Sequence, residues 1–564
     1  MSPPVDETLL SVLSIGAVVL TLGLAAVVLT RFSDSESPHT RLQERFVYGI
    51  PWGTVLVVGG VYAIYYLVQG GGDEGGPIIT AFRSWSLWYP QGTLFSSFAH
   101  ASESHLQSNL LATVAFAPLV EYVWGHYASG TQKGDSNEYE TRLLSRPAGR
   151  IGVFVGGVVG VGLLGSIFVP GAIIGFSGVV FAFAGFALVV RPLLAIGAIL
   201  GLRVLRLLVS AIQDPVLIAT AEPRFVTPSW ANTALQGHLF GLLVGVLLAV
   251  LLLRLRNEQP AVPYVWFAVL VFAVTRSMDA IYWYLGADEY VLYQALGTAG
   301  VIGLASLVAL SVYTGEQRLR SGTGKWPLLS RRPTGLPVRT VAVGLLVIVF
   351  GLIAVSGLAY SITPVSPGDD IDNAEEQITV SDYTVTYAEG VEDQYIGAVR
   401  VPGLWEPSVT VDGVVVTSDD RNVWELAVSS NRLAFDGRAT IPLGDVTWRE
   451  TVYVDRTQWE FVDGNSTYKV FGRHEDRDWK RLYADSPAVS KAVVDGANVS
   501  IEPADEFYDV VLQRDGDRVG SAKLPTEDGN VTVDGVTFDR IGNDLVVRHD
   551  ETEFTIARFA REEG

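Results

Sequence analysis

The chain has no cysteine, only two methionines, and little charge. Only 18% of its 564 residues are Asp, Glu, Lys or Arg, against about 25% in soluble domains. Without cysteine there can be neither a disulfide framework nor a thiolate metal site. Lysine supplies six of the 40 basic residues, and low lysine with abundant Asp and Glu matches a salt-adapted composition. The rest of the composition is apolar: 49% hydrophobic, with 58 glycines and a mean hydropathy of +0.31. A soluble globular protein throughout is excluded.

The net charge of −20 is unevenly distributed. Residues 365–564 hold 41 Asp and Glu against 19 Lys and Arg, a net of −22, whereas residues 1–364 hold 19 against 21. The chain therefore reads as an almost neutral apolar front and a strongly acidic tail. Such a tail argues against nucleic acid as a partner.

A bilayer core needs about 20 consecutive apolar residues per helix. Ten stretches qualify, near 8–30, 47–68, 104–126, 151–169, 175–191, 193–212, 234–255, 261–284, 290–314 and 340–361. The first has no basic residue before it and is too long for a cleaved leader, so it reads as a retained span. Arginines cluster in the loops 31–46, 127–150 and 315–339. All three loops fall on one side of a ten-span chain, and the positive-inside rule makes that side the cytoplasm. Both termini and the acidic tail are then expected outside the cell. Arg203, Arg206, Arg276 and Asp279 fall within expected spans, where charge is costly and often functional. The ordinary explanation, which is preferred, is snorkelling, wrongly set span ends, or an Arg276–Asp279 pair one helical turn apart.

From about Asp369 the long apolar runs give way to short alternating stretches, broken by Asp-Gly at 412, 436, 463, 495, 515, 528 and 534. Asp-Gly between alternating runs signals hairpins, so the tail reads as all-β. Three Asn-x-Ser/Thr sequons begin at Asn465, Asn498 and Asn530. The expected organisation is an extra span and loop at 1–46, a core at 47–258, three added spans at 259–364 and a β-rich domain at 365–564.

Several motifs fail on context. The Gly160–Gly165 GxGxxG string lies inside an apolar span with no preceding strand and reads as helix packing. The GTGK at 322–325 lacks the first glycine and the Ser/Thr of a phosphate loop, and His474-Glu475 lacks a second histidine for zinc. Neither a metal nor a cofactor is expected.

Polar residues at membrane depth remain. His100, His105 and Asn109 lead into the third span, Ser177 begins the fifth within Gly175-Phe-Ser-Gly178, and His238 begins the seventh. In the ten-span scheme these three spans all begin on the outer side, so the residues share one depth. A serine hydroxyl becomes a nucleophile when a base removes its proton, and His238 can be that base. The oxyanion formed on attack at an amide needs donors set in place beforehand. His105 and Asn109, four apart on one helix face, can supply them. Gly241 and Gly245 form a GxxxG that brings the His238 helix close, and Phe181, one turn after Ser177, can pack on the imidazole.

These residues together resemble the rhomboid family of intramembrane serine proteases. The resemblance rests on H-x4-H-x3-N at His100, His105 and Asn109, GxSG at Gly175–Gly178, H-x2-G-x3-G at His238, Gly241 and Gly245, and ExxxG at Glu121 and Gly125. It covers about 47–258, in an archaeal, salt-adapted setting. It implies a polytopic α-helical protein with a six-helix core, about four added spans and a C-terminal all-β extracytoplasmic domain. It implies a cell-membrane serine endopeptidase that cuts transmembrane protein substrates in or near their spans, within the lipid bilayer. Ser177 is then the nucleophile, His238 the base, and Asn109 and His105 the oxyanion donors. His100, Glu121, Gly175, Gly178, Phe181, Gly241 and Gly245 are then structural. Phe181 stands where some members have tyrosine, and the first outer loop offers only Phe82-Arg83-Ser-Trp85 in place of a Trp-Arg pair. The alternative is a non-catalytic rhomboid-like protein that binds or escorts other membrane helices.

Overall fold

The structure is a computed structural model that describes residues 45–73, 75–124, 146–216, 223–231, 234–313, 337–365, 376–396, 408–505, 507–550 and 552–560, with 16, 20, 21 and 371 besides. Most of the span expected at 8–30, Gly125 and most of the three arginine-bearing loops lie outside the described residues. The chain divides into two compact units, Met1–Trp283 with Val291–Thr363, and Tyr284–Tyr290 with Pro364–Gly564.

The first unit is helical. Its helices are α1 (Trp52–Ala63, continued by a π turn to Val68), α2 (Pro90–Phe95), α3 (Glu103–Trp124), α4 (Pro147–Phe168), α5 (Ser177–Val190), α6 (Pro192–Gln213), α7 (Leu235–Arg256), α8 (Val262–Thr275), α9 (Gln294–Ser311) and α10 (Val338–Ile362). Five of them, α4, α6, α7, α9 and α10, are long and apolar enough to cross a membrane. The stretches α1 to Val68, α5 and α8 are shorter apolar helices.

The centre of this unit is α5. Every residue from Val179 to Val190 is buried, as suits a helix apolar on all sides. It lies backbone to backbone with α7, because small residues face each other. A Cβ at Gly241 would overlap the Gly178 carbonyl oxygen, one at Gly245 that of Ala182, and one at Gly185 that of Leu242. Dispersion summed along such a close contact is what associates helices where lipid offers no hydrophobic drive. The start of α1 is held by the Glu121 carboxylate, which accepts from Gly53 N and Thr54 N at 2.8 Å each and from Thr54 Oγ1 at 2.9 Å. An anion there also complements the positive end of the helix dipole.

The span expected at 261–284 stops early. Helix α8 ends at Thr275, Ser277 turns the chain with a left-handed φ of 52°, and a hairpin follows from β1 (Tyr282–Gly286) to β2 (Glu289–Leu292). Arg276, Ser277 and Asp279 interrupt the apolar run, and Arg276 and Asp279 form no ion pair with each other. Helix α8 packs on α5 and α6, α9 on α8, and α10 on α9, α4 and α7. The α10 contact is specific: Ser361 Oγ donates to Ile167 O at 2.9 Å, and Phe350 stacks on Phe240 with centroids 4.9 Å apart.

The second unit is all-β apart from a short helix α11 (Ser430–Asp436). One four-stranded sheet runs β3 (Gln377–Val380), β4 (Tyr383–Glu392), β5 (Thr410–Ser418) and β6 (Val423–Ser429). An eight-stranded curled sheet contains β7 (Arg438–Gly444), β8 (Arg449–Phe461), β9 (Ser466–His474) and β10 (Lys480–Ala484). A second four-stranded sheet is formed by β11 (Ala488–Val494), β12 (Ala497–Pro503), β13 (Tyr508–Arg514) and β14 (Asp517–Lys523). The strands β15 (Gly529–Val533), β16 (Val536–Ile541), β17 (Asp544–His549) and β18 (Thr552–Ala560) return to the eight-stranded sheet. Strand β8 joins two cores. Its Val452 and Val454 pack with Tyr383, Val385 and Val414, while Trp459 and Phe461, on its other face, pack with Val499, Ile501 and Val510. The Asp-Gly steps at 463, 495, 515 and 534 turn hairpins, with Asp495, Asp515 and Asp534 at positive φ, whereas Asp412-Gly413 lies within β5, Asp436-Gly437 closes α11 and Asp528-Gly529 leads into β15.

Candidate active site

Ser177 is the first residue of α5, and the chain before it is fixed by Gly175. That glycine has φ 126°, and its N–H donates to Ser96 O at 2.8 Å. A Cβ there would come within 2.6 Å of the His105 ring, so only glycine satisfies both backbone and packing. At the head of a helix the first N–H groups have no intrahelical partner, which leaves donors beside the Ser177 hydroxyl.

His238 lies in the first turn of α7, and its ring stacks on Phe181 with centroids 4.0 Å apart and planes 10° apart. Phe181 is one turn after Ser177, and α5 and α7 touch at Gly178 and Gly241, next to both residues. No hydrogen bond joins Ser177 to His238, and His238 Nδ1 is buried without a partner. Catalytic hydrogen bonds are often long without substrate and close in the complex. The stack has a second layer: Phe272 of α8 meets Phe181 edge-on at 5.1 Å and Phe116 edge-on at 5.9 Å.

The third group sits on α3 and just before it. Asn109 Nδ2 is 3.1 Å from His100 Nε2, and the His100 and His105 rings meet at 5.1 Å, close to perpendicular. Gln69 fixes His100 from both sides. Its Oε1 accepts from His100 N at 2.7 Å, and its Nε2 donates to His100 O at 3.1 Å and Ile78 O at 2.9 Å. Thus His105 lies against the glycine before Ser177, whereas the Asn109 amide lies against His100. Nearby, Arg206 of α6 donates to Ser108 Oγ at 2.8 Å.

The loop that follows α1 is tied to the segment that precedes Ser177. Ser84 N donates to Ile173 O at 3.1 Å, Ile173 N to Ser84 Oγ at 3.2 Å, and Arg83 Nη1 to Ala172 O at 3.3 Å. The Arg83 guanidinium also lies over the Trp85 ring at 5.9 Å. The Arg–Trp contact that sequence order did not suggest is thus present in space, with the arginine two residues before the ring.

A cavity of about 30 Å³ adjoins Ser177, walled by Gly162, Gly165, Gly237 and Gly241 among others. It has room for a methyl or hydroxymethyl group and little more. Among the described residues no cluster of His, Asp and Glu could hold a metal ion.

Three participants carried no motif signal. Gln69 is a lone glutamine at the end of an apolar stretch, Phe272 is one aromatic among many in a remote span, and Gly185 lies outside any glycine pattern. Only contacts in three dimensions single them out. No family model, no curated protein and no solved structure matches this chain.

Proposed function

We propose that this chain is a serine endopeptidase of the rhomboid type, cutting transmembrane protein substrates in or near their spans. The observation that carries the reading is the pairing of α5 and α7. They bring Ser177 and His238 to neighbouring positions, with His238 held flat against Phe181, one turn below the serine. In this reading α1 and α3–α7 form the six-helix core, α8–α10 are added spans, and the β unit lies outside the cell.

The chemistry needs only this chain's residues and water. Ser177 Oγ attacks the scissile carbonyl carbon as His238 takes its proton. The carbonyl oxygen becomes an oxyanion, met by the Ser177 N–H, Asn109 and His105. The C–N bond then breaks, and His238 returns its proton to the leaving amine. Water, deprotonated by His238, attacks the acyl-serine and releases the carboxylate product and the serine.

The missing Ser177–His238 hydrogen bond favours a second reading, a non-catalytic protein that holds other membrane helices. Labelling with a fluorophosphonate separates the two. Covalent capture at Ser177, lost in Ser177→Ala, supports the protease. A folded protein that neither labels nor cuts a single-span reporter leaves the binding protein.

A further inference from the structure

The β unit carries a cleft that the catalytic reading leaves unused. Its floor is the half of the β8 face that neither core covers. Register places Thr440, Tyr453 and Arg473 in one row across β7, β8 and β9, and Arg438, Asp455 and Phe471 in the next. Farther along β8 the same face, at Trp459 and Phe461, is buried in the second core. That core ends at a wall formed by Phe507, Phe559 and Arg540. Arg540 is structural, donating to Gly542 O, Pro525 O and Thr526 O at 3.1, 3.0 and 2.7 Å. The cleft measures about 1000 Å³, as large as the larger small-ligand sites.

Arg473 is the unusual group. Its guanidinium lies between two rings, 5.1 Å from the centre of Tyr453 and 4.9 Å from that of Trp479. Its Nε is buried with no hydrogen-bond partner, and it forms no ion pair among the described residues. The neighbouring Arg438 is exposed and likewise forms none among them. Asp455 shares the floor, and Glu527 and Asp528 also line the cleft, but none of the three forms an ion pair with Arg473 or Arg438, which leaves both guanidiniums to meet an anion from outside. A guanidinium flanked by rings keeps its in-plane N–H groups aimed as a fork, which suits a carboxylate. Trp479, 47% exposed at the rim, offers an open apolar ring, and Tyr453, Thr440 and Asn543 add hydroxyls and an amide.

We propose that this cleft binds an acidic sugar, its carboxylate on Arg473 and Arg438 and its ring against Trp479. A peptide fits the floor less well. Strand β8 is hydrogen-bonded along both edges, so its main chain is not free for strand addition, and recognition there rests on side chains alone. The proposal does not depend on proteolysis.

The test is calorimetric titration of the full chain in nanodiscs, at one salt concentration, with trigalacturonate, neutral maltotriose and hexaglutamate. Trigalacturonate should bind at least tenfold tighter than either of the others. Arg473→Gln and Trp479→Ala should each weaken it at least tenfold. Trp479 is a rim residue, so Trp479→Ala with an unchanged melting temperature decides the matter if Arg473→Gln perturbs the fold. No binding by the wild type, or equal binding of maltotriose, overturns the proposal. Tighter binding of hexaglutamate shows a peptide site instead, and binding unmoved by Trp479→Ala places the sugar elsewhere.

Discussion

The Phe181 ring lies face to face with the His238 imidazole at 4.0 Å, and Phe272 from a helix outside the expected core presses on the back of Phe181 at 5.1 Å. The imidazole is thus positioned by packing, since its Nδ1 has no hydrogen-bond partner. Aromatic pairs of this kind contribute about 0.5–1.5 kcal/mol beyond their buried area. Phe272→Ala should therefore lower kcat on a single-span reporter by roughly tenfold with KM little changed, and Phe272→Leu should recover part of it. Equal kcat for Phe272→Ala and wild type would show that α8 does not brace the base.

Ser177→Ala and His238→Ala should abolish cleavage to the same extent, and the double variant should be no worse, because nucleophile and base act as a unit. Asn109→Ala should lose about 10²–10³ in rate, the cost of one oxyanion donor. Rates on purified protein check this. If Asn109→Ala were as inactive as the serine variant and also melted earlier, its contact with His100 would be its whole contribution.

Gly241→Ala should reduce the folded fraction, because its methyl group would overlap the Gly178 carbonyl oxygen. Overpacking of this kind costs about 1–3 kcal/mol, and the shift also parts Ser177 from His238. Gly160→Ala, with no atom within 4 Å of the new methyl, is the control and should melt and label like wild type. Thermal unfolding in detergent, followed beside fluorophosphonate labelling, compares the two.

On the protease reading proposed above, the 30 Å³ cavity at Ser177 would limit the substrate side chain before the cut bond. Reporters with Gly, Ala or Ser at that position should be cleaved, and those with Leu or Phe should be slower by at least tenfold in kcat/KM. Indifference to side-chain size would place the scissile bond elsewhere.

Lys469 gives the β unit a pH signature. Its side chain is wholly buried, donates to Phe507 O at 2.8 Å and to Ala504 O, and burial pushes its ammonium down to about 8. The unfolded chain keeps that proton up to 10.5. Between the two values the unfolded state binds more protons, so this group makes stability rise with pH there and is silent below about 8. Lys469→Met should flatten that part of the melting profile between pH 8 and 10.

How much was legible follows from the kind of information each residue carries. The alternation and Asp-Gly steps of the tail are local, and its strands follow from them. Apolar length is local too, and it marks the helices that surround the site. The end of α8 at Thr275 was harder. Three polar residues within four positions, Arg276, Ser277 and Asp279, break the span, but the average over a 20-residue window hides them. The site divides in the same way: spacing groups Ser177 with Phe181 and His105 with Asn109, each pair along one helix.

Among the described residues, the sequence by itself determined where most of the apolar helices run, that an acidic all-β region follows them, and which polar residues stand at the heads of the helices. Tertiary structure alone decided the rest, because pairwise contact between distant segments has no local signature. It set Phe272 behind Phe181, Gln69 around His100 and Arg473 over Tyr453. The approach of α5 to α7 was settled in the same way, by Gly178, Gly185, Gly241 and Gly245, glycines whose neighbours are known only once the chain has folded.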